Sequence, residues 1–288
     1  MPILTVFLKT YRRPLLLRDA IESVLMQDFQ DYELVIHDDA SGDETPDVVG
    51  SYHDRRIRYV LAEQNIGGTY GDTEIVRRLQ EKCATRLCMH MNDDDYYCKS
   101  DLFSTQVQLF DNIGGLAMCV GGVAQKYPHK IALPVPARPW LSTHFVGDNE
   151  DTVFVGNLYP QALMTGLEFL EAFAEDYSNR NIVHGATVYR SVFLTQDLFN
   201  EEFAWQAGAA LNCGVATKGG VYYIDEPCLI NRLDINCASF RGTQKQHYEQ
   251  CLASITAGYA RVIHDPEMKK IRDKTALNVT LAYLGNKV

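Results

Sequence analysis

Positive charge is in short supply in this chain: 27 Lys and Arg stand against 37 Asp and Glu, for a formal net charge of -10. That balance argues against the clustered cationic surface from which phosphate-backbone binding draws its affinity, so nucleic acid is not an expected partner. The eight cysteines, at 83, 88, 98, 119, 213, 228, 237 and 251, have no paired short spacings. The tightest group, Cys83, Cys88, His90 and Cys98, lacks the C-x-x-C knuckle of a zinc site, and reduced, packed thiols are the expectation. Long apolar runs are missing too. Residues 114–124 are the longest and are interrupted by glycine, well short of the roughly 20 residues that span a bilayer. The first eight residues lead straight into a strand pattern without a basic, apolar leader, so no transmembrane segment and a cytoplasmic location are expected. No internal repeat or low-complexity segment is visible.

What is present is a chain of 288 residues, 46% hydrophobic, enough for one large α/β domain or such a domain with a helical extension. Residues 3–8 are β-branched and apolar, residues 15–26 show helical spacing, and residues 32–37 form a second apolar run closed by Asp38-Asp39-Ala40-Ser41-Gly42-Asp43. A helix over 45–52, a strand over 57–61, a Gly67-Gly68 turn, a helix to about 83 and a strand over 86–91 follow. Strands alternating with helices specify an open parallel sheet, whose ligands gather at the carboxyl ends of the strands. Further on, the pattern predicts strands at 117–125, 187–189 and 221–224, helices at 167–173 and 204–217, and closing helices from 244 onward. Trp140, Phe145, Phe154 and Tyr159 either stack on a sugar or fill a small core.

Two loops carry the chemistry. Asn92-Asp93-Asp94-Asp95 sets three carboxylates at the end of a buried strand, where their repulsion calls for a cation or for donors. A hard divalent ion that keeps positions open for phosphate oxygens suits them; an exposed acidic turn that caps a helix is the alternative. The Asp38 to Thr45 loop reads equally as a capped turn or as a carboxylate aimed at the N3 hydrogen of a uracil or thymine.

Four segments, in order, resemble the motifs of family-two glycosyltransferases: Lys9-Thr10-Tyr11-Arg12-Arg13-Pro14, Ser23-Val24-Leu25-Met26-Gln27, Glu33-Leu34-Val35-Ile36-His37-Asp38-Asp39-Ala40-Ser41 and Met91-Asn92-Asp93-Asp94-Asp95-Tyr96. They match P-T-Y-N-R, S-[VI]-L-x-Q, E-L-[IV]-[VI]-x-D-D-x-S and L-D-x-D-D. The resemblance is close over 1–105 and looser over 180–235. It implies a GT-A type, Rossmann-like open mixed sheet flanked by helices, with a C-terminal helical extension. It also implies three parts: a nucleotide-sugar-binding half at 1–110, an acceptor-binding half at 111–235 and a helical extension at 236–288.

By the same resemblance, Thr10 and Tyr11 border the base and Asp39 pairs with it, Asp93 meets ribose and diphosphate, and Asp94 is the metal ligand. Asp95 and Asp234 are further candidate ligands, and Arg232 is a candidate diphosphate contact. Asn92 replaces the first acid of the D-x-D motif. The implied cofactor is a divalent metal, manganese or magnesium. The implied partners are a UDP-sugar or dTDP-sugar donor and a saccharide or other hydroxyl acceptor. Arg77 and Arg78 lie one turn beyond the position, near Thr73, where the family carries an arginine.

The second half departs from the pattern at one position. Phe199-Asn200-Glu201-Glu202 and Tyr223-Ile224-Asp225-Glu226-Pro227 fit the flanking motifs, and the register between them puts Ala209 where the family has the acid that acts as general base. Alanine cannot take a proton. Three explanations stand: an inactivating substitution, a base supplied by Glu201, Glu202 or His184, or a protein that binds a nucleotide-sugar without turning it over. The reading is therefore an inverting, metal-assisted glycosyltransferase, or an inactive relative acting as a partner or regulator.

Overall fold

The first strand, β1 (Leu4–Thr10), is buried on both faces, as are β2 (Tyr32–Asp38) and β4 (Leu87–Asn92). Near-continuous apolar strands of this kind belong in the middle of a parallel sheet covered on both sides. In the computed structural model β1 pairs in parallel with β2 and with β4, and β3 (Ile57–Leu61) adds in parallel to β2. Described are residues 1–66, 83–127, 142–146, 149–156, 158–160, 162–175, 184–195, 198, 207–233, 248–249, 251–253, 255–256, 259 and 264–285.

The remaining strands are β5 (Asp95–Tyr97), β6 (Leu116–Lys126), β7 (Ser142–Val146), β8 (Asn149–Gly156), β9 (Leu163–Met164), β10 (Thr187–Arg190) and β11 (Gly220–Arg232). The sheet runs β3-β2-β1-β4-β10-β6-β11-β5, with β7, β8 and β9 joined off this path. Pairings of β10 with β4 and β6, and of β5 with β11, are antiparallel. The result is a mixed α/β sheet with flanking helices: α1 (Pro14–Leu25), α2 (Thr45–Gly50), α3 (Leu102–Asn112), α4 (Gly166–Glu175), α5 (Ala207–Ala216) and α6 (Pro266–Gly285).

Helix α1 shows how the sequence fixes the site's floor. Pro14 starts it, with its φ already suited to a first turn and no N–H to orphan. Leu17, Ile21 and Val24 fall at helical spacing and are fully buried, each contributing about 1.5–3 kcal/mol through removal from water. Gln27 then ends the helix as a staple: its amide donates to Lys99 O at 2.8 Å and its Oε1 accepts from Phe103 N at 3.2 Å. The glutamine of the second motif thus ties α1 to α3.

Two differences from the sequence expectations concern strands. The strand expected at 221–224 is part of β11, which continues to Arg232 through Pro227. Register shifts against β6 on either side of Pro227 absorb the missing N–H, as a bulge does. Gly122 opposite lets the backbones close there, since a Cβ would run into the Glu226 carbonyl. A β7–β8 hairpin follows β6, in a stretch where the sequence pattern predicts no strand. Of the four aromatics considered for sugar stacking, Phe154 and Tyr159 fill core. Phe154 packs with Ala124 and Ile230, and Tyr159 stacks on Phe169 at 5.1 Å. Trp140 and the Phe145 side chain lie outside the described residues.

Candidate functional site

The C-terminal ends of β1, β2 and β4 meet in one place, and Thr10 is its hub. Thr10 O accepts from Asp39 N at 3.0 Å, and Thr10 Oγ1 donates to Asp93 Oδ2 at 2.7 Å. One residue at the end of β1 thus connects the loop after β2 with the turn after β4. Tyr11 N also points at Asp93 Oδ2, at 3.4 Å, while the Tyr11 ring is 39% exposed and lies 5.1 Å from the Arg12 guanidinium. The partly exposed ring offers an aromatic surface beside Asp93, suited to a planar ligand.

The loops after β1 and β2 each hold one residue in a strained form. Arg12 and Ala40 have φ of 54° and 60°, in the left-handed region that L side chains avoid. The two loops are locked together through Ser41: Arg12 N donates to Ser41 Oγ and Arg12 Nε to Ser41 O, both at 2.9 Å. Asp38 is committed to structure, with Oδ1 accepting from Ser41 N at 2.8 Å and Oδ2 accepting a short bond from the Tyr59 hydroxyl. Strain of about 1–3 kcal/mol per residue, held by cross-bracing, is typical of ligand clamps.

Asp39 is oriented separately. Its Oδ1 accepts from Ile66 N at 2.9 Å and its Oδ2 from Asn65 Nδ2 at 2.9 Å. A carboxylate offers about four lone-pair directions, so two bonds fix its plane and leave acceptor capacity for a ligand. Asp39 is buried and Asp38 fully so.

Past β4 the three carboxylates part company. Asp93 is buried against Thr10 and Tyr11, and Arg13 Nη1 reaches its Oδ1 at 3.2 Å. The same nitrogen reaches Asp94 Oδ2 at 2.7 Å. Burial, with the Asp94 charge adding to it, pushes the Asp93 carboxyl up to about 6 against the pull of Arg13, Thr10 and Tyr11. Asp95 opens β5 and turns inward, fully buried, accepting from Asn231 Nδ2 at 2.8 Å and from Asn92 Nδ2 at 3.4 Å. Burial raises its pKa well above the usual carboxylate range, with the Asp94 charge in the same direction and the two amides opposing. Asn92, the replacement in the acidic motif, therefore serves as a donor to a buried carboxylate.

A cation already sits between Asp93 and Asp94, in the form of the Arg13 guanidinium. The donor set fits a hard divalent ion, because magnesium takes one or two carboxylates and completes its shell with water and phosphate oxygens. No group of three or more His, Cys, Asp or Glu that could hold a metal occurs among the described residues.

Other sequence candidates are placed differently. Arg232 Nη2 pairs with Asp19 Oδ2 at 2.8 Å, and the guanidinium lies 4.6 Å over the Tyr96 ring. It stands beside the acidic turn through Tyr96, and no hydrogen bond or ion pair among the described residues joins it to Asp93 or Asp94. His184 opens a short 3-10 turn, His184–Ala186, whose Gly185 carbonyl accepts the Tyr97 hydroxyl at 2.7 Å. That turn packs chiefly on β4 and β6, but the His184 side chain lies outside the described residues. Ala209 lies in the first turn of α5, again with only its backbone described. Gly67, Gly68, Thr73, Arg77, Arg78, Glu201, Glu202 and Asp234 lie outside the described residues.

The sequence reading gave no role to Arg13, Asn65, Ile66 or Asn231. Arg13 was discoverable, since it stands on the arginine of the opening motif. Asn65 and Asn231 carried no local signal and are joined to the site only by folding.

Residues 5–191 match the family described as Glycosyl transferase family 2. The chain belongs to that family. The match takes in β1 through β10 and so every carboxylate of the loops after β2 and β4. Among curated relatives, the GalNAc(5)-diNAcBac-PP-undecaprenol beta-1,3-glucosyltransferase of Campylobacter jejuni is 40% identical over 74 residues, 25% of this chain and 24% of that protein. Validoxylamine A glucosyltransferase of Streptomyces hygroscopicus subsp. jinggangensis is 45% identical over 65 residues, 22% of this chain and 15% of that protein. The matched stretch thus spans a quarter or less of either relative. Among solved structures, S. aureus TarS 1-349 in complex with UDP-GlcNAc superposes with a TM-score of 0.69 at 13% identity, over 98% of this chain and 73% of that one. A mannosyltransferase from Pyrobaculum calidifontis in complex with GDP-Man and Mn2+ gives 0.54 at 14%, over 99% and 74%. At such identities the likeness shows a shared fold alone.

Proposed function

We propose that the chain is a GT-A type transferase that moves a sugar from a UDP-sugar or dTDP-sugar to an acceptor hydroxyl, with inversion and with help from a divalent metal. The observation that carries this reading is the Thr10 hub, which couples the buried Asp39 acceptor to the Asp93–Asp94 carboxylates. A nucleoside diphosphate has a matching layout, with a polar base edge at one end and charged oxygens at the other. Asp39 accepts the base N3–H, Tyr11 borders the base plane, Asp93 receives the ribose end, and Asp94 holds the ion. Manganese or magnesium bound there would neutralise the departing diphosphate.

The donor falls to residues 1–110, the acceptor to 111–235, and residues 236–288 extend the domain. Arg232 becomes available to a diphosphate only by leaving Asp19, and Asp234 and Asp95 are secondary candidates for the ion. No helix among the described residues is long and apolar enough to cross a membrane. The free thiols at Cys83, Cys98, Cys119, Cys213 and Cys228 suit a reducing, cytoplasmic setting.

One specific residue favours a second reading. Ala209 stands where a general base is expected, so the chain as it stands fits a nucleotide-sugar-binding partner or regulator as well as an enzyme inactivated by that substitution or one that takes its base from Glu201, Glu202 or His184. Calorimetry with UDP plus manganese tests the shared part, and saturable binding that weakens in Asp39→Ala is expected. Absence of binding, or binding indifferent to that change, would remove the base assignment. Ala209→Asp separates the two readings: gained donor hydrolysis or transfer marks an enzyme, and silence with intact UDP binding marks a binder.

A further inference from the structure

Arg13 is the one cation bound to both Asp93 and Asp94 among the described residues, and it does so with a single nitrogen, Nη1, at 3.2 and 2.7 Å. It is the residue immediately before α1, it follows Arg12 in its left-handed conformation, and its side chain is one-third exposed. The Asp94 side chain is 17% exposed, which makes it the reachable member of the carboxylate pair. Both contacts run through the same guanidinium nitrogen, so the link is a single-nitrogen bridge rather than a two-pronged fork. A partly exposed, single-nitrogen bridge is weaker than a bidentate one and can open without unfolding its surroundings.

We propose that Arg13 is a resident counter-cation that occupies the Asp94 carboxylate in the nucleotide-free protein and yields it to the metal when a diphosphate arrives. This rests on the functional reading above and adds an order to it. A metal alone must compete with a tethered guanidinium for the same oxygen, so it binds poorly. A diphosphate offers the guanidinium a replacement anion, releases Asp94, and brings oxygens that complete the metal's shell. Nucleotide and metal are then coupled through Arg13, each raising the affinity for the other, as linkage requires. The arrangement also keeps two adjacent carboxylates from facing each other uncompensated while the site is empty of ligand.

The test is manganese binding in the absence of nucleotide, read from the loss of the free-ion electron paramagnetic resonance signal, in the unmodified chain and in Arg13→Gln. If the bridge is closed about nine-tenths of the time, its removal tightens manganese binding about tenfold. Arg13→Gln should also weaken UDP in the presence of EDTA and reduce the mutual tightening of UDP and manganese. Arg13→Lys, which keeps the charge, should behave more like the unmodified chain. A gain of metal affinity is not an outcome that structural damage produces, and it should vanish in Arg13→Gln combined with Asp94→Ala. Unchanged or weaker manganese binding by Arg13→Gln, with UDP and manganese still binding the unmodified chain, would overturn the counter-cation and leave the functional reading standing. Failure of the unmodified chain to bind UDP with manganese would overturn both.

Discussion

Replacing Asp39 by asparagine changes one oxygen to an amide nitrogen at the point where base recognition is assigned. In the structure both carboxylate oxygens are occupied by donors, Ile66 N and Asn65 Nδ2, each at 2.9 Å. An asparagine can satisfy only one of them with its carbonyl oxygen, and its NH2 then faces the other donor, Asn65 Nδ2 or Ile66 N, and cannot accept from the base N3–H. A hydrogen bond to a charged acceptor is worth about 1.5–3 kcal/mol, so UDP should bind about 10- to 100-fold more weakly. The base identity supplies the sharper readout. Cytosine carries an acceptor at N3 in place of a donor, so the Asp39→Asn variant should lose less affinity for CDP than for UDP and narrow or invert the preference. Calorimetry with both nucleotides in the presence of manganese, with a thermal melt as a check on folding, measures this. Equal weakening of UDP and CDP, or UDP affinity within about twofold of the unmodified chain, would refute the assignment of Asp39 to the base.

Other outcomes follow from the same geometry. Ala40→Gly should stabilise the chain by about 0.5–1 kcal/mol in urea melts, since relief of the left-handed penalty outweighs the added freedom of glycine in the unfolded state. Asn92→Asp, which restores the acid of the family motif, should cost about 1–3 kcal/mol, because it removes a donor to Asp95 and sets a carboxylate beside a buried one; a thermal melt at neutral pH measures this. Asp93 and Asp95 both have folded-state pKa values raised above the unfolded value. The folded state thus holds their protons more tightly, and stability should decline as pH rises from about 4 through the folded-state values. Asp95→Asn should flatten that decline in urea melts recorded from about pH 5 to 8 and make the chain more stable than its parent at the alkaline end.

Much of this architecture was legible because its signals are local. The β1, β2 and β4 runs are apolar throughout, Pro14 marks the start of α1, and the polar residues that end each strand fall where an open sheet places its ligands. The grouping of Thr10, Asp39 and Asp93 follows from register, since β1 pairs with both β2 and β4 and brings their ends together. The roles of individual carboxylates were not legible. Asp93, Asp94 and Asp95 are equivalent in the sequence, yet one is bonded to β1, one is bridged to Arg13 and one is turned into the protein toward Asn231. Asn231 is 136 residues from Asp95, so the partner that decides its orientation is set by the β5–β11 pairing and by nothing nearby in the chain. The length of β11 was hidden for a similar reason: the expected strand stops at 224, and only the bulge against β6 with a glycine opposite lets β11 pass through Pro227.

The most direct test of the central claim, that the ends of β1, β2 and β4 form a nucleoside diphosphate site, is a crystal structure of the chain with UDP and manganese. The account predicts the uracil N3 within hydrogen-bond distance of Asp39, the ring beside Tyr11, and an anomalous manganese peak joining Asp94 to the diphosphate. A nucleotide bound elsewhere, or a manganese peak away from Asp94 with the Arg13 bridge intact, would contradict it.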